Sequence, residues 1–529
     1  DSSNLNQAQP VACTMFIFHQ LVTSRLFLVV PVALVHAFIN PQQVQLRSRC
    51  QSTLSGKRPW QKQLRFRNKL VQLTSRPLPV KEGTGRAAFA APRRRVFELS
   101  SSELVTAFLD TGRVATLTYY KGTEPPVEYL RTRVSQVVRT NPWLSATFAR
   151  RGLSRTAFDA EYLESADPAH PNVEVEISYR RCFDVLPKRD LRRMLVKQGR
   201  QTSSVEGGQQ EALNNYAEIF EGFRDAVGPG ARETIARAEQ RLERQPPVFR
   251  VALIPGLDDD FVVVASLDHS IGDANTFYAV QNMLSDDTEV RSLSIARRSR
   301  AEFAKVDRQL FRNMMADASK GGRQLPWLPV LPPPLASLLF GKKKLFATEV
   351  NLDTVGREKI NFLKRKVSRS APFVSTNDVL MSSILRTCRP DLGLMAVNLR
   401  GKLAGVEEGM AGSYITFLYF GPKDYARPED IRNAVATNRI LPRSSVQGFA
   451  VDRIGARICL VTNWAGFAED VVLRGCKPVI HLPMIDMGPG DGIGCVIFRP
   501  AQGRIGAVFG GRDVDNNKLN KLLFTGPLL

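Results

Sequence analysis

Apolar residues recur along this chain in two periods, and the switching between them predicts a mixed α/β architecture. Leu130, Val134, Val137 and Val138 share one face of a 3.6-residue repeat, which predicts a helix from about residue 128. Asn141-Pro142 stops it, and Trp143 to Phe148 alternate as a strand does. Residues 187–197 (PKRDLRRMLVK) predict a second, short amphipathic helix. From Gly207 to Arg244 the chain is polar and rich in Ala, Glu and Gln around a Gly-Pro-Gly break at 228–230, which predicts a helical hairpin added on the surface. Two apolar runs follow, Val248–Ile254 and Phe261–Leu267, joined by a turn carrying Gly256 and three aspartates. Runs of this kind predict two strands, the second leading straight into His269.

After a helix near 273–285 the pattern stays helical to about 317, then passes through 325-LPWLPVLPPPLASLLF-340. That stretch is too proline-rich for helix or central strand and predicts a crossover. The chain restarts with a strand, Leu345–Leu352, a Ser-capped helix, 375-STNDVLMSSILRTC-388, and a strand, 394-LMAVNLRG-401. Further strands lie between Tyr414 and Phe509, interrupted by a helix at 428–440. The expected body is therefore two mixed-sheet α/β halves, 96–318 and 347–529, joined by a Pro-rich crossover at 319–346.

Charge separates this body from its leader. The formal net charge is +22, of which +13 falls between Pro41 and Arg95, where 14 Lys/Arg face the single acid Glu82. The body from Val96 onward carries only +9 and no recognised nucleic-acid-binding motif, so no nucleic-acid partner is expected. Arg25 precedes an apolar run, Leu26 to Val35, that is too short to span a bilayer but right for a signal-peptide core, with Val35 and Ala37 at a small-residue cleavage position. Residues 1–37 read as a signal-peptide-like leader and 38–95 as a basic transit or linker segment without folded structure. A signal peptide followed by transit-like sequence resembles the bipartite plastid leaders of algae with secondary plastids; a secretory signal with a basic linker and a membrane-anchoring helix are the alternatives. The seven cysteines (Cys13, Cys50, Cys182, Cys388, Cys459, Cys476, Cys495) form neither a C-x-x-C pair nor a zinc-ligand spacing, and no metal site is expected.

The chemistry concentrates in 262-VVVASLDHSIGDANTF-277. His269 ends a β-run just before Gly272, where a tight loop projects a side chain, and Asp273 opens a helix as an N-cap. A histidine suits removal of a proton from a hydroxyl or amine as it attacks. An aspartate four residues on can fix the loop by turning away to a cation. Read alone, the motif leaves two readings open: a catalytic base, or an ordinary histidine satisfied near the core.

The motif order is more telling. Strand–HSIGD–helix, then VNLRGKL with AGSY a dozen residues on, then IDMGPGDG near the C-terminus, resembles the BAHD acyltransferases of the coenzyme-A-dependent, condensation-domain-like superfamily with its HxxxD motif. Helix–NPWL–strand at 128–148 resembles that family's N-terminal region, and the likeness covers roughly residues 96–529. It implies a chloramphenicol-acetyltransferase-like fold with the active-site channel between the halves. It further implies His269 as general base, Asp273 as its structural partner and Arg400 as the strand arginine that pairs with Asp273. Asp486, Gly488 and Gly490 stand where the family's DFGWG supports the site, although Met487 and Pro489 replace its aromatic residues. Asp268 stands where condensation domains carry a first histidine, which favours the single-histidine branch. Ser375 and Thr376 are first a helix cap, with contact to the pantetheine arm of coenzyme A as a second role.

The expected activity is transfer of an acyl group from acyl-CoA, a co-substrate and not a bound cofactor, to the hydroxyl (or amine) of a small molecule. A plastid address suggests a xanthophyll-like pigment or a lipid alcohol as acceptor. A monomer with peripheral membrane contact is expected. The competing reading is a non-catalytic scaffold of the same fold that binds lipid or pigment.

Overall fold

The computed structural model describes residues 92–99, 103, 112–122, 124–150, 158–165, 172–195, 216–230, 245–295, 344–364, 371, 373–402, 405–436, 457–485, 492–511 and 524–527. All of these lie in the unit Ala88–Leu529. Residues 1–91, most of the crossover, and Asp486, Gly488 and Gly490 lie outside them.

In chain order the first stretch holds β1 (Arg93–Glu98), β2 (Arg113–Lys121), α1 (Val127–Thr140), β3 (Thr147–Arg150), β4 (Phe158–Glu164), α2 (Val173–Arg180), β5 (Phe183–Val185), α3 (Leu191–Leu195), α4 (Arg224–Val227), β6 (Phe249–Pro255), β7 (Asp260–Asp268) and α5 (Ala274–Asn282). The second holds β8 (Lys344–Val350), α6 (Leu352–Lys364), α7 (Thr376–Cys388), β9 (Leu392–Asn398), β10 (Ile415–Phe420), α8 (Pro428–Ala436), β11 (Ile458–Asn463), β12 (Pro478–Met484), β13 (Ile493–Phe498), β14 (Gly506–Gly511) and β15 (Phe524–Pro527).

Among the described residues two large mixed sheets form, with strand orders β12-β2-β7-β6-β5 and β10-β9-β11-β13-β14-β8-β15, beside a small sheet β1-β4-β3. Most neighbours are antiparallel, but β5 runs parallel to β6, and β11 runs parallel to both β9 and β13. The expected mixed α/β architecture with two mixed sheets is what forms. One strand crosses between the two stretches of chain. β12 pairs antiparallel with β2, from Pro478 opposite Tyr120 to Met484 opposite Ala115.

The central strand of the first sheet is β7, and every one of its residues is buried. Val263, Ala265 and Leu267 face a core built with α1, α2 and α5, while Val262 and Val264 face a second core. That second core takes Leu345 and Ala347 from β8, Phe498 from β13 and Val508 from β14, so it joins the two large sheets. Both faces being covered explains why the sequence of β7 runs apolar without alternation.

Four sequence expectations need correction. Pro142–Ser145 is a turn of 3-10 helix, with Pro142 at its start and the Ser145 hydroxyl donating 2.8 Å to the Pro142 carbonyl, so the strand begins only at Thr147. Of the helical stretch expected to reach 317, residues 296–317 lie outside the described residues, while α5 ends at Asn282 and residues 286–295 form no helix. There Asp286 N donates 2.9 Å to the Val472 carbonyl and the Ser285 hydroxyl accepts 2.8 Å from Val472 N, drawing the chain to another partner. The described part of the 207–244 segment is not a surface hairpin. Tyr216, Ile219, Phe220, Phe223, Ala226 and Val227 are buried in the second core. Finally, helix α6 follows β8 directly, where the sequence reading extended the strand to Leu352.

Candidate functional site

β7 delivers its last residue, Asp268, to a tight turn that carries His269. The Asp268 carbonyl accepts from Ile271 N at 3.0 Å and from Gly272 N at 3.3 Å, and His269 N donates 3.3 Å to Gly112 at the start of β2. The turn needs Gly272 because a Cβ there would lie 2.8 Å from side-chain carbons of both Leu267 and Thr276. His269 itself is half-buried. Its Nδ1 is buried and has no hydrogen-bond partner among the described residues. A buried ring nitrogen without a partner is costly and uncommon in a purely structural histidine.

Asp273, at the N-cap of α5, turns the other way. One carboxylate oxygen accepts 2.9 Å from Thr276 N and closes the cap. The other accepts 2.8 Å from Arg400 Nη1 and 2.9 Å from Tyr414 N. Arg400 is saturated in its turn. Nε donates 2.8 Å to the Met410 carbonyl, Nη1 also reaches Asn398 Oδ1 at 3.1 Å, and Nη2 donates 2.8 Å to Thr276 Oγ1 and 2.9 Å to the Gly412 carbonyl. Its guanidinium lies 4.9 Å from the centre of the Tyr414 ring. The pair is sealed from solvent, with side-chain exposures of 0% for Arg400 and 2% for Asp273. A buried pair this fully bonded repays its desolvation, whereas half of it alone would not.

Of the expected site residues, Arg400 and Asp273 do pair, but not with Arg400 on the strand. β9 ends at Asn398, so Arg400 is not on the strand but in the turn after it, where Gly401 takes φ +67°. Leaving the ladder frees the Arg400 side chain to reach α5. Gly412, at φ +149°, receives Asp273 N at 3.2 Å and Thr276 Oγ1 at 2.9 Å on its carbonyl. Its own N–H donates 3.1 Å to Thr276 Oγ1. A Cβ at 412 would lie 2.8 Å from the Tyr414 ring. The turn after β9 thus grips Asp273 and Thr276 at the start of α5, and none of these hydrogen bonds goes to the histidine ring.

Ser375 is a cap in full: Asp378 N donates 3.2 Å to its hydroxyl, and its own N–H donates 2.7 Å to the Asp378 carboxylate. The Thr376 hydroxyl accepts 2.7 Å from Lys359 Nζ. Both lie at the head of α7 in the second sheet's layer.

A second histidine went unmarked in the sequence. His481 of β12 is buried, with Nδ1 2.9 Å from the Thr118 hydroxyl and Nε2 3.0 Å from the Tyr278 hydroxyl. Burial, aided by the Arg499 charge, pushes its pKa down to about 3. Thr276, Gly412 and Asn398 were also missed. The N-T-F spacing after Asp273 was the signal for Thr276, but nothing local marks Gly412 as its partner.

No family model and no curated protein matches the chain. Among solved structures, F. graminearum TRI101 complexed with coenzyme A and deoxynivalenol is similar with a TM-score of 0.51 at 14% identity, over 82% of this chain and 100% of that one. The same protein complexed with ethyl coenzyme A gives 0.50 at 13% identity over the same shares. The chain thus shares the two-sheet fold of TRI101, the fold that its resemblance to the coenzyme-A-dependent, condensation-domain-like acyltransferases implied.

Proposed function

We propose that this chain moves an acyl group from acyl-CoA to the hydroxyl of a small molecule, with His269 as general base. The observation that carries the reading is the division of labour between Asp273 and His269. Asp273 spends both oxygens on Arg400, Tyr414 and the head of α5, none of them on the imidazole. His269 is half-buried at the end of a fully buried strand. The solved structures of TRI101 in this fold hold coenzyme A or ethyl coenzyme A, which supports a thioester co-substrate.

In the proposed step the acceptor O–H gives its proton to neutral His269 as its oxygen attacks the thioester carbonyl. The tetrahedral oxyanion collapses, the carbon–sulfur bond breaks, and the CoA thiolate takes the proton from the imidazolium. Base catalysis of this kind contributes about 10²–10⁴-fold to rate. The channel between residues 96–318 and 347–529 is the proposed route for both substrates. The leader suggests plastid targeting, and with it a hydroxylated pigment or lipid alcohol as acceptor for a monomer that touches the membrane periphery.

The test is acceptor-dependent release of free CoA thiol by the full chain, offered a panel of acyl-CoAs with pooled alcohols and, separately, pooled amines. Release that needs an alcohol supports the reading, and the productive pool narrows the acceptor. Release with amines alone replaces the O-acyl assignment by N-acyl transfer. Binding of CoA or pigment with no release from any pair favours the scaffold.

A further inference from the structure

The residue before His269 is as unusual as the histidine. Asp268 is 1% exposed. One of its oxygens accepts 3.0 Å from Ser270 N and 2.6 Å from the Ser270 hydroxyl, which fastens the turn from below. The other, Oδ2, is buried with no hydrogen-bond partner among the described residues. An acid left half-satisfied in a core costs more than an apolar residue there would, so something else must offset it.

Opposite Asp268 in the ladder stands Arg113, its direct register partner on β2. Facing residues of an antiparallel pair project to the same side of the sheet. Arg113 is 7% exposed, and among the described residues it donates to neutral carbonyls, those of Pro229, Pro247 and Val248. Burial lowers its pKa to about 10, with Asp268 acting to restore it, so it stays charged at neutral pH. Burial likewise raises the pKa of Asp268, and Arg113, Ser270 and His269 each act to hold it ionised. The other groups in reach are accounted for. Arg250 of β6 bonds Asp184 at 2.9 Å, the Cys182 thiol is buried and pushed up to about 12, and Asp273 is neutralised by Arg400.

We propose that Asp268 is a positioning residue for His269: it locks the turn through Ser270 and carries a buried negative charge, faced by Arg113 across the ladder, in the residue next to the histidine. The carboxylate stabilises the imidazolium that forms when the acceptor gives up its proton. Asp273, neutralised by Arg400, is not left to supply that charge. This rests on the acyl-transfer reading for its purpose, though not for its test.

The experiment follows the imidazole of His269 by NMR through a pH titration of the histidine-labelled full chain, assigned against His269→Ala among the five histidines. Asp268→Asn keeps the shape and the Ser270 bonds and removes the charge. The His269 titration should move to lower pH by about one unit, the size expected of one nearby charge in a partly buried site. The acid limb of CoA release should move with it. Ser270→Ala, a milder change, should move both the same way by less, and serves if Asp268→Asn does not fold. A His269 titration unmoved in a folded variant overturns the proposal, because a carboxylate that only braces the turn would not shift it. A shifted titration in a chain that releases no CoA upholds Asp268 and sinks the acyl-transfer reading instead.

Discussion

Two histidines lie at the same five-stranded sheet, and they could hardly be treated more differently. His481 sits inside β12 with a hydroxyl on each ring nitrogen, Thr118 on one side and Tyr278 on the other. His269 lies just past the end of β7, half-buried, with Nδ1 unpartnered among the described residues. The first is what a satisfied core histidine looks like: both nitrogens occupied, and the charged form excluded by burial. The second is withheld from that satisfaction, while Asp273 and Arg400 beyond it are hydrogen-bonded through both carboxylate oxygens and all three guanidinium nitrogens. A buried aspartate, a buried arginine and three backbone groups of the β9 turn are spent on holding its loop, and none of them on its ring. This difference supports the proposed reading of His269 as the base beside a packing role for His481, a choice the H-x-x-x-D spacing alone left open.

The strongest way to break the contrast is to attack the clamp. Arg400→Ala leaves the Asp273 carboxylate buried and unpaired, and should lower the unfolding free energy by about 3–5 kcal/mol in a urea titration. A loss under about 1 kcal/mol would mean that the clamp does not hold the turn. His481 is tested by acid. Unfolded, it takes a proton near its ordinary value of about 6.5, whereas in the fold it does so only near about 3. Protonation therefore favours the unfolded chain. The His481 contribution is whole above about pH 6.5 and falls away below it, by about 3 kcal/mol at pH 4. His481→Gln should start less stable at pH 7 and decline less between pH 6.5 and 4, as read by thermal melts across that range.

Smaller effects sharpen the same picture. Gly412→Ala asks for a side chain at φ +149° against the Tyr414 ring, and should cost about 1–3 kcal/mol by chemical denaturation. It should also lower CoA release at temperatures where the chain stays folded, because the displaced turn carries the partners of Asp273. Ser375→Ala removes one half of a capping box and should cost about 1 kcal/mol. A KM for acyl-CoA unchanged in that variant would confine Ser375 to the cap; a raised KM would add the pantetheine contact.

Much of this was legible in the chain because local patterns coincided with tertiary roles. The run of β7 is apolar without alternation because both faces are covered, and Asp273 caps α5 in the manner its residue type favours. The face of α1 was readable because Leu130, Val134, Val137 and Val138 are the residues it buries. What escaped depends on contacts distant in sequence. Nothing near Pro478 announces that β12 leaves its neighbours to pair with β2, and nothing near Gly412 announces Thr276, 136 positions earlier. Arg400 was placed on the strand because an apolar run gives no sign of the register at which pairing ends. The 216–227 segment is a different kind of miss. Tyr216, Ile219, Phe220, Phe223 and Val227 do repeat at helical spacing, but polar flanks on both sides masked them.

The central claim is that His269 is kept for chemistry and His481 for packing. It is tested most directly by measuring acceptor-dependent CoA release and melting temperature side by side in His269→Ala and His481→Ala, both at neutral pH. The account predicts that His269→Ala loses at least about 100-fold in turnover with its melting temperature within about 2 °C of the parent. It predicts that His481→Ala melts several degrees lower, yet keeps most of its turnover at temperatures where it is folded. A His269→Ala chain that turns over acyl-CoA at the parental rate would contradict it.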